Sequence, residues 1–369
     1  MGERGAVRRS GALVGPGQVR RRRRRRDGRA RRVVTLVPLA ALALALLAGA
    51  CAARPAVEVP AGEPGAAGPC EVELGKLVNE VDWRHPIVLG EPGGDAEAPL
   101  GGRCDDDARP VAFLAHGYLG NMLEGYEGLV RHLVSTGHVV VFPGYTAEFN
   151  PDHQYRVVDQ GFVQGARWSD RVDLERIGII GHSFGGGMLP WLVQRAEARG
   201  WGTEGFWAVD FAPWFALRVG TGPIEVPDHL RFAMVSYEYD VFVDTRIAIE
   251  TFAALDLPAD QKQHVVLHHD RTRQPTLEAD HLGPVTVEVV DGLGTISTDH
   301  FDRWSTYRTV DAIAGCALAG TWCDTDLSYV GTWPDGTPVT PATVRDDQAD
   351  IGPPALQECE FPLNPRPCP

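Results

Sequence analysis

From residue 109 to residue 317 the chain alternates two kinds of hydrophobic pattern. Short, largely apolar runs occupy 109–115 (Arg-Pro-Val-Ala-Phe-Leu-Ala), 138–142, 173–180, 205–214, 229–237 and 285–290. A run with little polar alternation suits a strand covered on both faces, the usual state of a parallel strand. Longer stretches between them carry apolar residues at helical spacing. Leu129, Val130, Leu133 and Val134 mark one face over 126–136, and Gly137 follows as a C-cap. Residues 153–167, 188–199, 244–255 and 301–317 read as further helices. Strands alternating with helices predict an α/β fold, with a mostly parallel sheet and crossover helices on both faces. The polar stretch 256–283 has no clear period and reads as an insertion. Residues 70–109 read as edge strands and loops. The tail 323–369 reads as a small extension packed on the main domain, with a turn at Trp333-Pro334-Asp335-Gly336-Thr337.

The N-terminus does not fit that alternation. An arginine run at 20–26 precedes an apolar stretch at 33–50 that ends at Cys51. A charged region, a short hydrophobic region and small residues have the form of an export signal. Ala48-Gly49-Ala50-Cys51 looks like a lipobox, with Leu47 one place earlier than usual, so Cys51 is a candidate lipid anchor to a membrane. A plain secretory signal or a transmembrane anchor are the competing readings; the run is short for a membrane span. Residues 52–69, rich in Pro, Gly and Ala, read as a flexible tether. The expected organisation is an export segment 1–51, a linker 52–69, a main domain 70–322 and an extension 323–369. The protein is then expected in the cell envelope or secreted.

Export changes how charge and cysteines read. Of the 35 basic and 49 acidic residues, thirteen and two fall within residues 1–50, which leaves 22 and 47 and a formal net charge of −25. A surface this acidic repels nucleic acid and anionic lipid, and favours neutral substrates over anionic ones. Six cysteines follow Cys51, an even number that suggests disulfides in an oxidising compartment. Pairing of sequence neighbours gives 70–104, 316–323 and 359–368. No Cys-x-x-Cys and no Cys/His cluster is present, so a metal site is not expected.

The stretch with chemistry in it is 176–187, Arg-Ile-Gly-Ile-Ile-Gly-His-Ser-Phe-Gly-Gly-Gly. It reads as a buried strand, a sharp turn and a helix start. Gly181-His182-Ser183-Phe184-Gly185 has the G-x-S-x-G spacing of a nucleophile elbow, where side chains at the flanking glycines would collide with strand or helix. A helix-opening turn with Ser183 as N-cap is the bland alternative. A serine hydroxyl needs a base to take its proton, and the base needs a carboxylate to hold its tautomer. In an open α/β sheet such groups lie just past strand ends. Asp240, directly after the 229–237 strand, is the first candidate acid and Asp210 the second; Asp244 reads as a helix N-cap. His300, after the last expected strand, is the candidate base. His281 precedes that strand, the wrong end for the site, and His268 and His269 read as surface residues. The expected oxyanion donors are the N–H groups of Phe184 and Tyr118, the latter on the His116-Gly117 loop.

Together these pieces resemble the α/β-hydrolase superfamily over 110–317. They look closest to cutinase-like and polyester-degrading bacterial lipases and to platelet-activating-factor acetylhydrolases. His116-Gly117-Tyr118 is similar to their oxyanion loop, Gly181 to Gly186 to their elbow, Tyr239-Asp240 to the cutinase acid loop and His300-Phe301 to the cutinase His-Phe pair. Ala212-Pro213-Trp214 is similar to a cutinase-like loop whose tryptophan lines the cleft, so the resemblance implies a substrate-binding Trp214. The acetylhydrolases carry their acid in a segment like 209–212, which keeps Asp210 open. The gap between Asp240 and His300 is longer than in the cutinase-like enzymes. The expected activity is hydrolysis of a small-molecule or lipid-like carboxylic ester without cofactor. A silent surface binding module on the same fold, and a hydrolase of amide or thioester bonds, are the alternatives.

Overall fold

Five of the six apolar runs form the middle of a nine-stranded sheet. In the computed structural model, residues 57–120, 123–274, 276–290, 293–296, 298–345 and 352–369 are described. The export segment 1–51, with Cys51, and the start of the tether lie outside the described residues. The strands are β1 (Glu71–Leu77), β2 (Ile87–Gly93), β3 (Arg109–Ala115), β4 (Val139–Pro143), β5 (Val172–His182), β6 (Gly205–Phe211), β7 (Arg231–Tyr237), β8 (Lys262–Leu267), β9 (Val287–Val290), β10 (Leu293–Ile296) and β11 (Thr343–Arg345). The sheet order is β1-β2-β4-β3-β5-β6-β7-β8-β11. From β4 to β8 all neighbours are parallel, while β1, β2 and β11 add antiparallel pairs at the two edges.

Among the described residues, five α-helices connect these strands: α1 (Glu127–Ser135), α2 (Pro151–Ala166), α3 (Phe184–Glu197), α4 (Thr245–Ala254) and α5 (Arg308–Ala319), the last entered through a π-helical turn, Asp302–Tyr307. Alternate strand residues point to opposite faces, and this sorts the core into two layers. Val111, Phe113 and Ile179 pack with Phe162, Met188, Leu192 and Phe252 of α2, α3 and α4. Ala112, Leu114 and Val209 pack with Leu129, Leu133, Val310 and Ile313 of α1 and α5. Each fully buried Val, Leu, Ile, Met or Phe side chain stabilises the fold by about 1.5–3 kcal/mol relative to exposure.

Three expectations change. The polar stretch 256–283 is not an insertion: it contains β8, a full member of the parallel sheet. Its apolar part is only Val265-Val266-Leu267 between polar flanks, so no window average finds it. The β-branched run 285–290 does not enter the main sheet; β9 pairs with β10 in a separate antiparallel hairpin. The tether is docked from residue 57 onward, because its Pro and Gly residues make tight turns rather than a loose coil. Gly65 N–H donates to Asp311 Oδ2 at 2.8 Å, Trp304 Nε1–H to the Val57 carbonyl at 2.9 Å, and Val59 is buried against Trp304.

The three disulfides are Cys70–Cys104, Cys316–Cys323 and Cys359–Cys368, the neighbour pairing. They fit an oxidising, extracellular-type environment, and no helix among the described residues is long and apolar enough to cross a membrane. The extension is more than an appendage. Its strand β11 pairs with β8, and Trp333 Nε1–H and Thr340 N–H both donate to Asp270 Oδ2, at 3.0 and 2.9 Å.

Candidate active site

Ser183 stands at the junction of β5 and α3 with φ 54° and ψ −118°, a left-handed conformation that a side chain adopts only under constraint. The constraint is steric. A Cβ on Gly185 would lie 2.1 Å from the Ala115 carbonyl oxygen, and one on Gly181 would lie 2.7 Å from the Gly186 Cα. Only hydrogens fit at both positions, so strand, turn and helix close tightly and the serine side chain is lifted out of the corner. Backbone bonds lock the turn: Ser183 N–H donates to the Phe211 carbonyl at 2.9 Å, and the Ser183 carbonyl accepts from Trp214 N–H at 2.8 Å. The N-terminus of α3 behind it favours developing negative charge.

The structure brings Ser183 together with His281 and Asp240. The Ser183 hydroxyl is 2.8 Å from His281 Nε2, and His281 Nδ1 is 2.7 Å from Asp240 Oδ2. The carboxylate only accepts, so the Nδ1 proton faces it and Nε2 is free to accept from the serine. Asp240 is itself held: its Oδ1 accepts Phe242 N–H at 2.9 Å and Val243 N–H at 2.8 Å. His281 and Asp240 are 7% and 2% exposed, so the pair is shielded from water.

The structure brings His281, not the expected His300, to Ser183. His300 sits at the head of the last helical segment, buried, with Nε2 donating to the Val330 carbonyl at 2.7 Å and its ring against Trp304 and Trp333. Burial lowers its pKa. His300 lies past a strand end only if 285–290 belongs to the main sheet, which it does not. With β8 as the last parallel strand of that sheet, His281 lies past its C-terminal end, where a base belongs. The signal that could have found it is the short Val265-Val266-Leu267 run.

Asp210 is not the acid partner. Its side chain ends β6 beneath the elbow, where a Cβ on Gly186 would come within 2.3 Å of Oδ1. Neither carboxylate oxygen has a hydrogen-bond partner among the described residues, and burial raises its pKa well above the usual range. Asp244 caps α4, accepting Arg246 N–H at 3.0 Å, as its position after β7 suggested.

The loop after β3 comes close to the serine: a Cβ on Gly117 would lie 3.2 Å from Ser183 Cβ. Gly120 N–H donates to the Gly117 carbonyl at 2.9 Å, closing a turn with Leu119 at φ 69°. The backbone of Tyr118 thus lies in the loop that faces the elbow. A buried chain of bonds ties this loop to the other two. Gly117 N–H donates to Tyr126 Oη at 2.9 Å, that hydroxyl donates to His182 Nδ1 at 2.6 Å, and His182 Nε2–H donates to the His281 carbonyl at 2.9 Å. Desolvation lowers the His182 pKa far below the ordinary imidazole value and raises that of Tyr126, so both stay neutral. On the other side of the loop, His116 donates from Nδ1 to the Gly117 carbonyl at 2.7 Å, and burial pushes its pKa down to about 3.

Aromatic rings wall one side of the site. Tyr118 and Phe149 are 36% and 44% exposed and meet edge to face. Phe184 lies beneath both, and Trp214, only 7% exposed, packs 5.1 Å from Phe184 and 6.0 Å from Phe149. Trp214 thus supports the wall from within the core more than it lines an open cleft. Among the described residues no group of three or more His, Cys, Asp or Glu side chains is arranged to hold a metal.

The arrangement can move a proton from the Ser183 hydroxyl to His281 Nε2 while Asp240 holds the resulting imidazolium. No protein-family model matches the chain, and no curated protein matches it.

Proposed function

We propose that this chain is an exported serine hydrolase of the α/β-hydrolase type that cleaves carboxylic esters through an acyl-enzyme on Ser183. The observation that carries the reading is the continuous hydrogen-bond chain Ser183–His281–Asp240, set on a strained strand-to-helix corner. The three groups follow β5, β8 and β7 at the C-terminal edge of parallel strands, and their chain order is Ser, Asp, His.

In the proposed reaction Ser183 Oγ attacks the carbonyl carbon as its proton passes to His281 Nε2. The carbonyl oxygen becomes an anion held by the N–H groups of Phe184 and Tyr118. The imidazolium then protonates the leaving alkoxide, and the C–O bond breaks. Water enters, gives a proton to Nε2 and attacks the acyl group, and the returning proton frees Ser183. Tyr118, Phe149 and Phe184 offer an apolar face to an acyl or aryl group, and the acidic surface disfavours anionic esters. Lipid anchorage at Cys51 would hold the protein at a membrane surface.

Mass spectrometry after fluorophosphonate treatment, with Ser183→Ala beside the natural protein, tests the reading. One adduct, lost in the variant, is the expected result, followed by turnover of p-nitrophenyl esters. Folded, oxidised protein that takes no adduct would overturn it and leave a silent binding module.

A further inference from the structure

The last segment of the chain, 352–369, runs alongside the loop that carries Asp240. Leu356 N–H donates to the Val241 carbonyl at 2.9 Å, Gln357 N–H to the Phe242 carbonyl at 2.9 Å, and Asp244 N–H to the Gln357 carbonyl at 3.1 Å. These bonds form a short parallel bridge centred on Val243 and Gln357. Cys359 N–H then donates to Asp244 Oδ2 at 3.1 Å, and Arg246 forks between Asp244 and Glu360. The far end is fastened as well. Arg366 bonds Glu250 at 2.6 Å and the carbonyls of Gly220 and Gly222 at 2.6 and 2.8 Å, and Cys359–Cys368 closes the segment into a strap.

The pairing matters because of which peptide groups it takes. Asp240 Oδ1 accepts the N–H groups of Phe242 and Val243. Those N–H groups belong to the same two peptide units whose carbonyls, Val241 and Phe242, accept from the strap. A peptide unit is planar, with C=O and N–H pointing opposite ways. Fixing the carbonyl end therefore fixes where the N–H end points, and two bonds in line polarise each other. Without the strap the two units can rotate, and the Asp240 carboxylate loses the donors that hold Oδ2 toward His281.

We propose that the strap 352–369 is a positioning element for Asp240, acting through the 241–242 and 242–243 peptide units. The catalytic meaning of this rests on the ester-hydrolase reading above. Gln357 is the key contact, through its backbone rather than its side chain, so Gln357→Pro is the diagnostic substitution: it removes the N–H that holds the Phe242 carbonyl.

The test measures two things on the full oxidised chain. The first is the rate of Ser183 labelling by a fluorophosphonate, for the natural protein and Gln357→Pro, each with Asp240 intact and with Asp240→Asn. The second is the far-downfield proton resonance of the His281–Asp240 bond, identified by its loss in Asp240→Asn, which is visible whether or not the protein turns over. Gln357→Pro is expected to slow labelling about tenfold with Asp240 present and by no more than about twofold in the Asp240→Asn background, since the two act as one unit. The downfield resonance should broaden or vanish. Labelling within about twofold of the natural protein, equal loss in both backgrounds, or an unchanged resonance each overturns the proposal. Should Gln357→Pro fail to fold, Cys359→Ser/Cys368→Ser is read by the same criteria. A natural protein that takes no label sinks the hydrolase reading alone, and the resonance then decides whether the strap positions Asp240.

Discussion

His281 and His300 are both buried imidazoles past the seventh strand, yet their partners differ in kind. His281 sits between a hydroxyl and a carboxylate; His300 donates to a backbone carbonyl of the extension. Substitution should separate them. His281→Ala is expected to lower kcat/KM for an ester by about a thousandfold or more, the loss typical of a triad base. His300→Ala should leave kcat/KM per labelled site within about threefold while lowering the melting temperature, since the buried Val330 carbonyl loses its donor at a cost of about 1–3 kcal/mol. Steady-state kinetics and thermal melts on the two variants decide the matter. Asp210 makes a third residue-scale case. Its carboxyl is buried without a partner among the described residues and keeps its proton where an unfolded chain, with its ordinary value of 3.8, has lost it. The native state then binds more protons than the unfolded state, so stability falls as pH rises through and above that value. Asp210→Asn should raise the melting temperature, by more at pH 8 than at pH 5, and should leave ester turnover intact. Loss of turnover would return Asp210 to the chemistry.

Three elements deliver the groups that meet at Ser183: the elbow after β5, the loop after β3 and the segment after β8. Tyr126, at the head of α1, lies between all three. Its hydroxyl satisfies Gly117 N–H and His182 Nδ1, and His182 in turn holds the His281 carbonyl. Tyr126→Phe leaves two buried polar groups unpaired. It should cost about 1–3 kcal/mol of stability and lower kcat more than it raises KM, because no substrate contact is lost. An unchanged kcat in the folded variant would show that the three loops hold their places without the relay. The elbow itself was legible at the level of residues, because the G-x-S-x-G spacing marks two positions where only hydrogens fit: Gly181 against the neighbouring Gly186, and Gly185 against the Ala115 carbonyl of β3. The segment after β8 was not, since Lys262-Gln263-His264 carries polar side chains into a strand that is buried by β7 on one side and by β11 on the other.

Several histidines are buried deep in the fold. His116 and His138 are pushed down to about 3 and His264 to about 4, each mainly by desolvation, and His182 lies well below the ordinary 6.5. The unfolded chain takes up these protons near pH 6.5, whereas the fold refuses them until well below it. Unfolding therefore binds protons as pH drops through that window, and stability falls with it. The melting temperature should decline steadily from pH 7 to pH 5. A flat profile there would mean that other groups compensate or that these imidazoles are charged in the fold.

What the sequence by itself determined were the features with local causes. Apolar runs buried on both faces, helix stripes, the glycine-flanked Ser183 turn, the Asp240 loop directly after its strand and three disulfides between sequence neighbours were all readable in order along the chain. What only the tertiary structure decided were the features that depend on a partner distant in sequence. β8 is a strand because β7 and the C-terminal β11 flank it. His281 reaches Ser183 across 98 residues of sequence. Residues 57–69 are docked because α1 and α5 present Ser135 and Asp311 to them. Sequence pattern reports what a residue prefers among its neighbours in the chain; which histidine meets the serine is set by strand order in the sheet, which no local preference encodes.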